Sequence, residues 1–143
     1  MKCISAIDNA PQEAHEWLNE INEITGLHDI LEAYAALRAT LRLLRDNLTL
    51  ASAAKLASQF PPLIRGFFYE NWHPVDQPLR ERAKEEFLEN LSKFLEDYRH
   101  SDIDPELAAS AVFKTFINRL DPGEVDKIYK QLPKGIKKIF ILE

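Results

Sequence analysis

Apolar residues recur every three or four positions along almost the whole chain, the spacing of one face of an α-helix. Trp17, Leu18, Ile21 and Ile24 form a first such face, and Gly26 follows where a helix end favours a left-handed residue. A longer helix is predicted from about Asp29. Its apolar face is Leu37, Leu41, Leu44 and Leu48, and its opposite face carries Arg38, Arg42 and Arg45. Thr49 is placed to cap a short third helix that turns Ala53, Leu56 and Phe60 inward. Pro61 and Pro62 stop that helix, because proline lacks the N–H an interior turn needs, yet proline suits the first turn of the next one. That fourth segment runs from Pro62 to Glu70 and ends near Trp72-His73-Pro74. No stretch shows the period of two that marks a half-buried strand.

The second half of the chain repeats this plan. At a shift of 72 positions, residues 36–68 align with 108–140 without a gap, and eight of the 33 pairs are identical. Among the identities are Leu48/Leu120, Gln59/Gln131, Pro61/Pro133 and Phe68/Phe140. Leu41/Phe113, Leu44/Phe116, Leu56/Ile128 and Phe60/Leu132 keep core positions apolar. Thr49/Asp121 keeps an N-cap, and Asp121-Pro122-Gly123-Glu124 adds an N1 proline and the glutamate of a capping box. The leading helices match at a shift of 70, Glu16-Trp17-Leu18 pairing with Glu86-Phe87-Leu88. A gapless run with matched prolines points to tandem duplication of a four-segment helical unit.

The predicted fold is therefore all-α, one compact domain over residues 1–143, with unit one about 12–74 and unit two about 78–143 related by a pseudo-twofold axis. A one-sided unit of about 70 residues is marginal alone, which gives a physical reason to bury each against the other. The expected core is Trp17, Leu41, Leu44, Leu48, Leu56, Phe60, Phe87, Leu91, Phe94, Phe113, Phe116 and Ile128.

Charge follows the same division. The net −5 is the sum of −6 over residues 1–37, +3 over 38–70, −5 over 71–106 and +3 over 107–143. Acidic leading helices beside basic later ones complement each other across the fold, and solvated charge faces are the usual case. No apolar run reaches the ~18 residues of a membrane helix, and Asp8 interrupts any secretory leader, so a cytoplasmic location without membrane contact is expected. Cys3, the single cysteine, excludes an internal disulfide and a cysteine-based zinc site. The four glycines build no phosphate-cradling loop.

Two stretches are distinctive. One is Ala33-Tyr34-Ala35-Ala36-Leu37-Arg38-Ala39-Thr40-Leu41-Arg42-Leu43-Leu44-Arg45-Asp46-Asn47-Leu48, and the other runs from Gln59-Phe60-Pro61-Pro62 through Arg65-Gly66-Phe67-Phe68-Tyr69-Glu70 to Trp72-His73-Pro74. Together they resemble a bacterial family known as domain of unknown function 2267, whose pattern is a Trp-Leu helix, a Leu-Arg-Ala…Leu-Arg-Asp-x-Leu helix and a Gln-Leu-Pro…Arg-Gly-x-Tyr-Tyr…Trp-x-Pro segment. Phe60 stands for the usual Leu, Phe68 for the first Tyr, Asn47 for a common Arg, and Phe140 for a terminal aromatic that is often Trp. The resemblance implies a small all-helical bacterial protein and brings no activity, substrate or catalytic residue with it.

Candidate chemistry is sparse. Arg65, Tyr69, Glu70, Trp72 and His73 form the candidate surface for a partner or ligand, since Arg, Tyr and Trp dominate interface hot spots. The first unit carries residues 69–74, whereas the second stops at Ile141-Leu142-Glu143. Against this, aromatics at helical spacing are more often core, and Phe67, Phe68 and Trp72 are suited to plug the seam between units. Glu70-x-x-His73 has the spacing of a helical di-iron motif, but the nearest second copy, Asp97-Tyr98-Arg99-His100, carries the wrong carboxylate, so no metal is expected. His15, His28 and His100 form no His-x-x-x-His pair. No nucleophile elbow occurs, and neither catalytic residues nor a cofactor is expected. Arg38, Arg42 and Arg45 form a candidate basic face, with Lys127, Lys130, Lys134, Lys137 and Lys138 near the C-terminus, but a pI near 5.4 argues against nucleic acid. The reading is a non-enzymatic interaction module with a protein partner. The alternatives are a small-molecule or metal site in the crevice between units, then nucleic-acid binding by the arginine face; a homo-oligomer stays open.

Overall fold

A computed structural model describes residues 4–74, 78–79, 83–100 and 102–140; Cys3 and residues 141–143 lie outside them. The described residues contain helices and no strand. A short α1 (Ser5–Asp8) buries nothing. Helix α2 (Ala10–Thr25) turns Ala14, Trp17, Leu18 and Ile21 inward. It ends on Gly26 at φ 70°, whose N–H donates to the Asn22 carbonyl at 2.8 Å. Ile24, expected on the apolar face, is exposed instead, because it lies beside Glu20, Glu23 and Lys114 in a surface groove.

Helix α3 (Ile30–Asp46) starts where the Asp29 carboxylate accepts the Leu31 N–H at 2.9 Å. Thr49 accepts the Ser52 N–H at 3.2 Å to open α4 (Leu50–Ala57), and α5 (Pro62–Tyr69) opens on its proline. Helix α6 (Lys84–Asp97) ends in the left-handed Arg99 at φ 64°, with the His100 N–H closing back on the Leu95 carbonyl at 2.9 Å. Asp104 caps α7 (Pro105–Arg119) and Asp121 caps α8 (Pro122–Gln131), before α9 (Lys134–Phe140). Only the first half of the expected capping box forms: Asp121 accepts the Glu124 N–H, while the Glu124 carboxylate pairs with Lys127 at 3.4 Å.

Helices α3 and α7 cross at the centre of the molecule, and α2 and α6 each pack against both. Helix α5 lies on α3 and α2, α9 lies on α7 and α6, and α4 meets α8. Small residues (Ala33, Ala36 and Ala39 on α3; Ala108 and Ala111 on α7) are fully buried and allow the central helices to approach closely. Around them runs a chain of rings. Phe60 lies 5.7 Å from Trp17, 5.3 Å from Phe68 and 5.5 Å from Phe116, and Phe113 stacks on Phe140 at 4.6 Å. The expected core residues are buried except Phe94, which is half-covered and carries the Arg42 guanidinium over its face at 4.5 Å.

The same central position changes the reading of α3. With α2, α5, α6 and α7 all packed on it, α3 has no broad solvent face, and Arg45 is only 2% exposed. Arg38 and Arg42 are half-buried. No helix of the described residues is long and apolar enough to cross a membrane.

Candidate interaction surface

The end of α5 is where the two candidate clusters meet. The helix closes at Tyr69, Glu70 leaves it in an extended conformation, and Asn71 takes a left-handed turn at φ 54°. The Trp72 N–H then bonds back to the Tyr69 carbonyl at 3.2 Å, which brings their rings together, stacked at 5.2 Å and 28°. Tyr69 and Trp72 are both half-buried: one side rests on the core, with Phe68 5.6 Å from Tyr69, and part of each remains exposed. His73 is exposed beside them.

This turn is held from below by α3. Arg38 grips the Glu70 carboxylate in a fork, with Nε and Nη2 at 3.0 and 2.8 Å from Oε1 and Nη2 at 3.0 Å from Oε2. Its guanidinium also lies over the rings of Tyr98 at 4.3 Å and Tyr34 at 4.9 Å. Burial works to lower the Arg38 pKa, but the Glu70 hydrogen bond and the Coulomb attraction of Tyr34, Tyr98 and Glu70 outweigh it and raise it above its ordinary value. Two turns further along α3, Arg45 donates from Nη1 to the carbonyls of Phe68 at 3.1 Å and Glu70 at 2.7 Å, and from Nε to Asp46 at 2.9 Å. A buried guanidinium needs such partners, because each unpaired N–H there would cost desolvation energy. Arg65 acts locally, donating from Nε and Nη2 to the carbonyls of Ala57 and Phe60, each at 3.1 Å, and so satisfying the end of α4.

The expected partner surface and basic face are thus one assembly. Arg38 and Arg45 hold the α5 turn rather than standing as a solvated stripe, and Arg42 lies on Phe94. Glu70 is engaged by Arg38, and no group of three or more His, Cys, Asp or Glu among the described residues is arranged to hold a metal ion. Sequence reasoning missed Tyr34 and Tyr98 as the walls around Arg38 and missed the burial of Arg45. One signal was present. At the shift of 72, Arg38 pairs with Ser110 and Arg45 with Ile117, so these two arginines stand in the half of the alignment that continues into Tyr69–Pro74.

Two of the open crevices among the described residues lie elsewhere, each lined by turns from both halves of the chain. The larger, about 770 Å³, is bounded by residues 47–49, Pro78 and residues 131–134. The smaller, about 540 Å³, is bounded by Glu13, Glu16, Trp17, residues 59–61 and residues 118–120. Across the seam at the larger one, the Ser52 hydroxyl hydrogen-bonds the Gln131 side-chain oxygen.

No curated protein sequence matches the chain. The family model described as an uncharacterized conserved protein, domain of unknown function 2267, matches residues 14–139. The chain belongs to this family. The matched span of this family member contains the Arg38–Glu70 fork, buried Arg45, the Tyr69–Trp72 stack and both crevices, apart from Glu13 at the rim of the smaller one.

Proposed function

We propose that the protein is a non-enzymatic interaction module made of two tandem helical units about a pseudo-twofold axis, which presents the end of α5 to a protein partner. The observation that carries the contact surface is the Tyr69–Trp72 stack fixed from beneath by Arg38 and Arg45. Aromatic side chains already ordered in the free protein lose little freedom on binding, and Tyr and Trp give the largest contact energy per residue. His73 and Arg65, both exposed, are assigned to the same proposed surface.

The two-unit reading is supported by packing. Exchanging α2 with α6, α3 with α7, and α5 with α9 converts each contact among these six helices into another that is present: α2 on α3 and α7 becomes α6 on α7 and α3, and α5 on α3 and α2 becomes α9 on α7 and α6. The crevices exchange likewise, since positions 47, 48 and 131–133 of the larger correspond to 119, 120 and 59–61 of the smaller.

Affinity capture from a native lysate of producing cells tests the contact surface, with the parent compared against Trp72→Ala and against Ile117→Ser on an exposed position of α7. A specific partner held by the parent and Ile117→Ser but lost from Trp72→Ala is expected. A partner held equally by all three would contradict the assignment.

A second reading, small-molecule binding in the crevice between units, is favoured by the volume of the larger crevice and by its walls coming from both halves.

A further inference from the structure

We infer that the larger crevice binds a small organic anion with an apolar body, such as a medium-chain carboxylate. The inference rests on the crevice reading above and gives it a ligand class. Its floor is apolar: Leu48 and Leu132 are 2% and 4% exposed, and Pro78 and Pro133 complete the walls. Its volume of about 770 Å³ lies within the roughly 300–1,000 Å³ of small-molecule sites. Lys134 stands exposed on the rim and makes no ion pair among the described residues, and none of the described lining residues is acidic. An ammonium at the mouth of an apolar trough matches a carboxylate head on an aliphatic tail.

The smaller crevice is an internal control. Five of its lining positions correspond to those of the larger at the shift of 72, yet its electrostatics are reversed. The counterpart of Lys134 is Pro62, and α2 brings Glu13 and Glu16 to the rim. The one cation among its described lining residues, Arg119, is already neutralised by Glu20 at 2.6 Å and Glu16 at 3.8 Å. An anion entering there meets uncompensated carboxylate charge, so one crevice of the pair is selective.

Backbone-amide NMR on the full chain, titrated with sodium octanoate and separately with octan-1-ol, tests this. Octanoate is expected to shift the amides of Leu48, Thr49, Leu132 and Lys134 saturably, while those of Phe60 and Leu120 stay in place. Lys134→Glu is expected to weaken octanoate about tenfold, the scale of one charge-assisted hydrogen bond, and to leave octanol unchanged. Octanol binding as tightly as octanoate, or octanoate binding Lys134→Glu undiminished, would overturn the anion class while leaving a small-molecule crevice standing. No saturable shift from either probe would overturn both.

Discussion

Thr40 lies fully buried in the middle of α3, and its hydroxyl has no hydrogen-bond partner among the described residues. A buried hydroxyl without a partner costs about 1–3 kcal/mol of desolvation. At the shift of 72 the same position is Val112, also fully buried. Thr40→Val is therefore expected to raise stability by about 1 kcal/mol in urea unfolding, and a loss of stability would show that the hydroxyl is satisfied. Arg99 presents a related case, since α6 ends on a β-carbon-bearing residue at φ 64° where α2 ends on Gly26. Arg99→Gly is expected to add about 0.5–1 kcal/mol, read as a higher melting temperature. Single residues were only partly legible in the sequence. Thr49 and Asp121 announced their caps because capping chemistry is local, whereas the strained Arg99 had no local signal.

For whole helices, α3 shows where pattern reading stops. Period 3.6 correctly put Leu37, Leu41 and Leu44 in the core, but it assigned the arginines to solvent by residue type alone. Alanines at 33, 35, 36 and 39, together with leucines on several faces, were the available sign that α3 is covered nearly all round. Burial of Arg45 depends on carbonyls 23 and 25 residues away, and no local window contains them. Arg45→Met should then cost about 3 kcal/mol in urea unfolding, because it leaves the Phe68 and Glu70 carbonyls and Asp46 short of a donor. Arg42→Met, which removes a cation from the face of Phe94, should cost less than about 1 kcal/mol. Equal costs would mean that Arg45 does not clamp the α5 turn.

In the whole molecule, order and boundaries of the helices were legible because prolines and caps punctuate them. The joining of the arginine stripe to the aromatic turn was not legible. Two surfaces far apart along the chain met once α5 folded over α3. The central claim is that Tyr69 and Trp72 form a rigid surface resting on the core rather than a part of that core. Urea unfolding of Trp72→Ala beside Phe68→Ala tests it most directly. Phe68, fully buried, should lose about 3–5 kcal/mol on truncation, and half-buried Trp72 no more than about 2 kcal/mol, with the protein still cooperatively folded. A Trp72→Ala variant destabilised as severely as Phe68→Ala would place the stack inside the core and contradict the account.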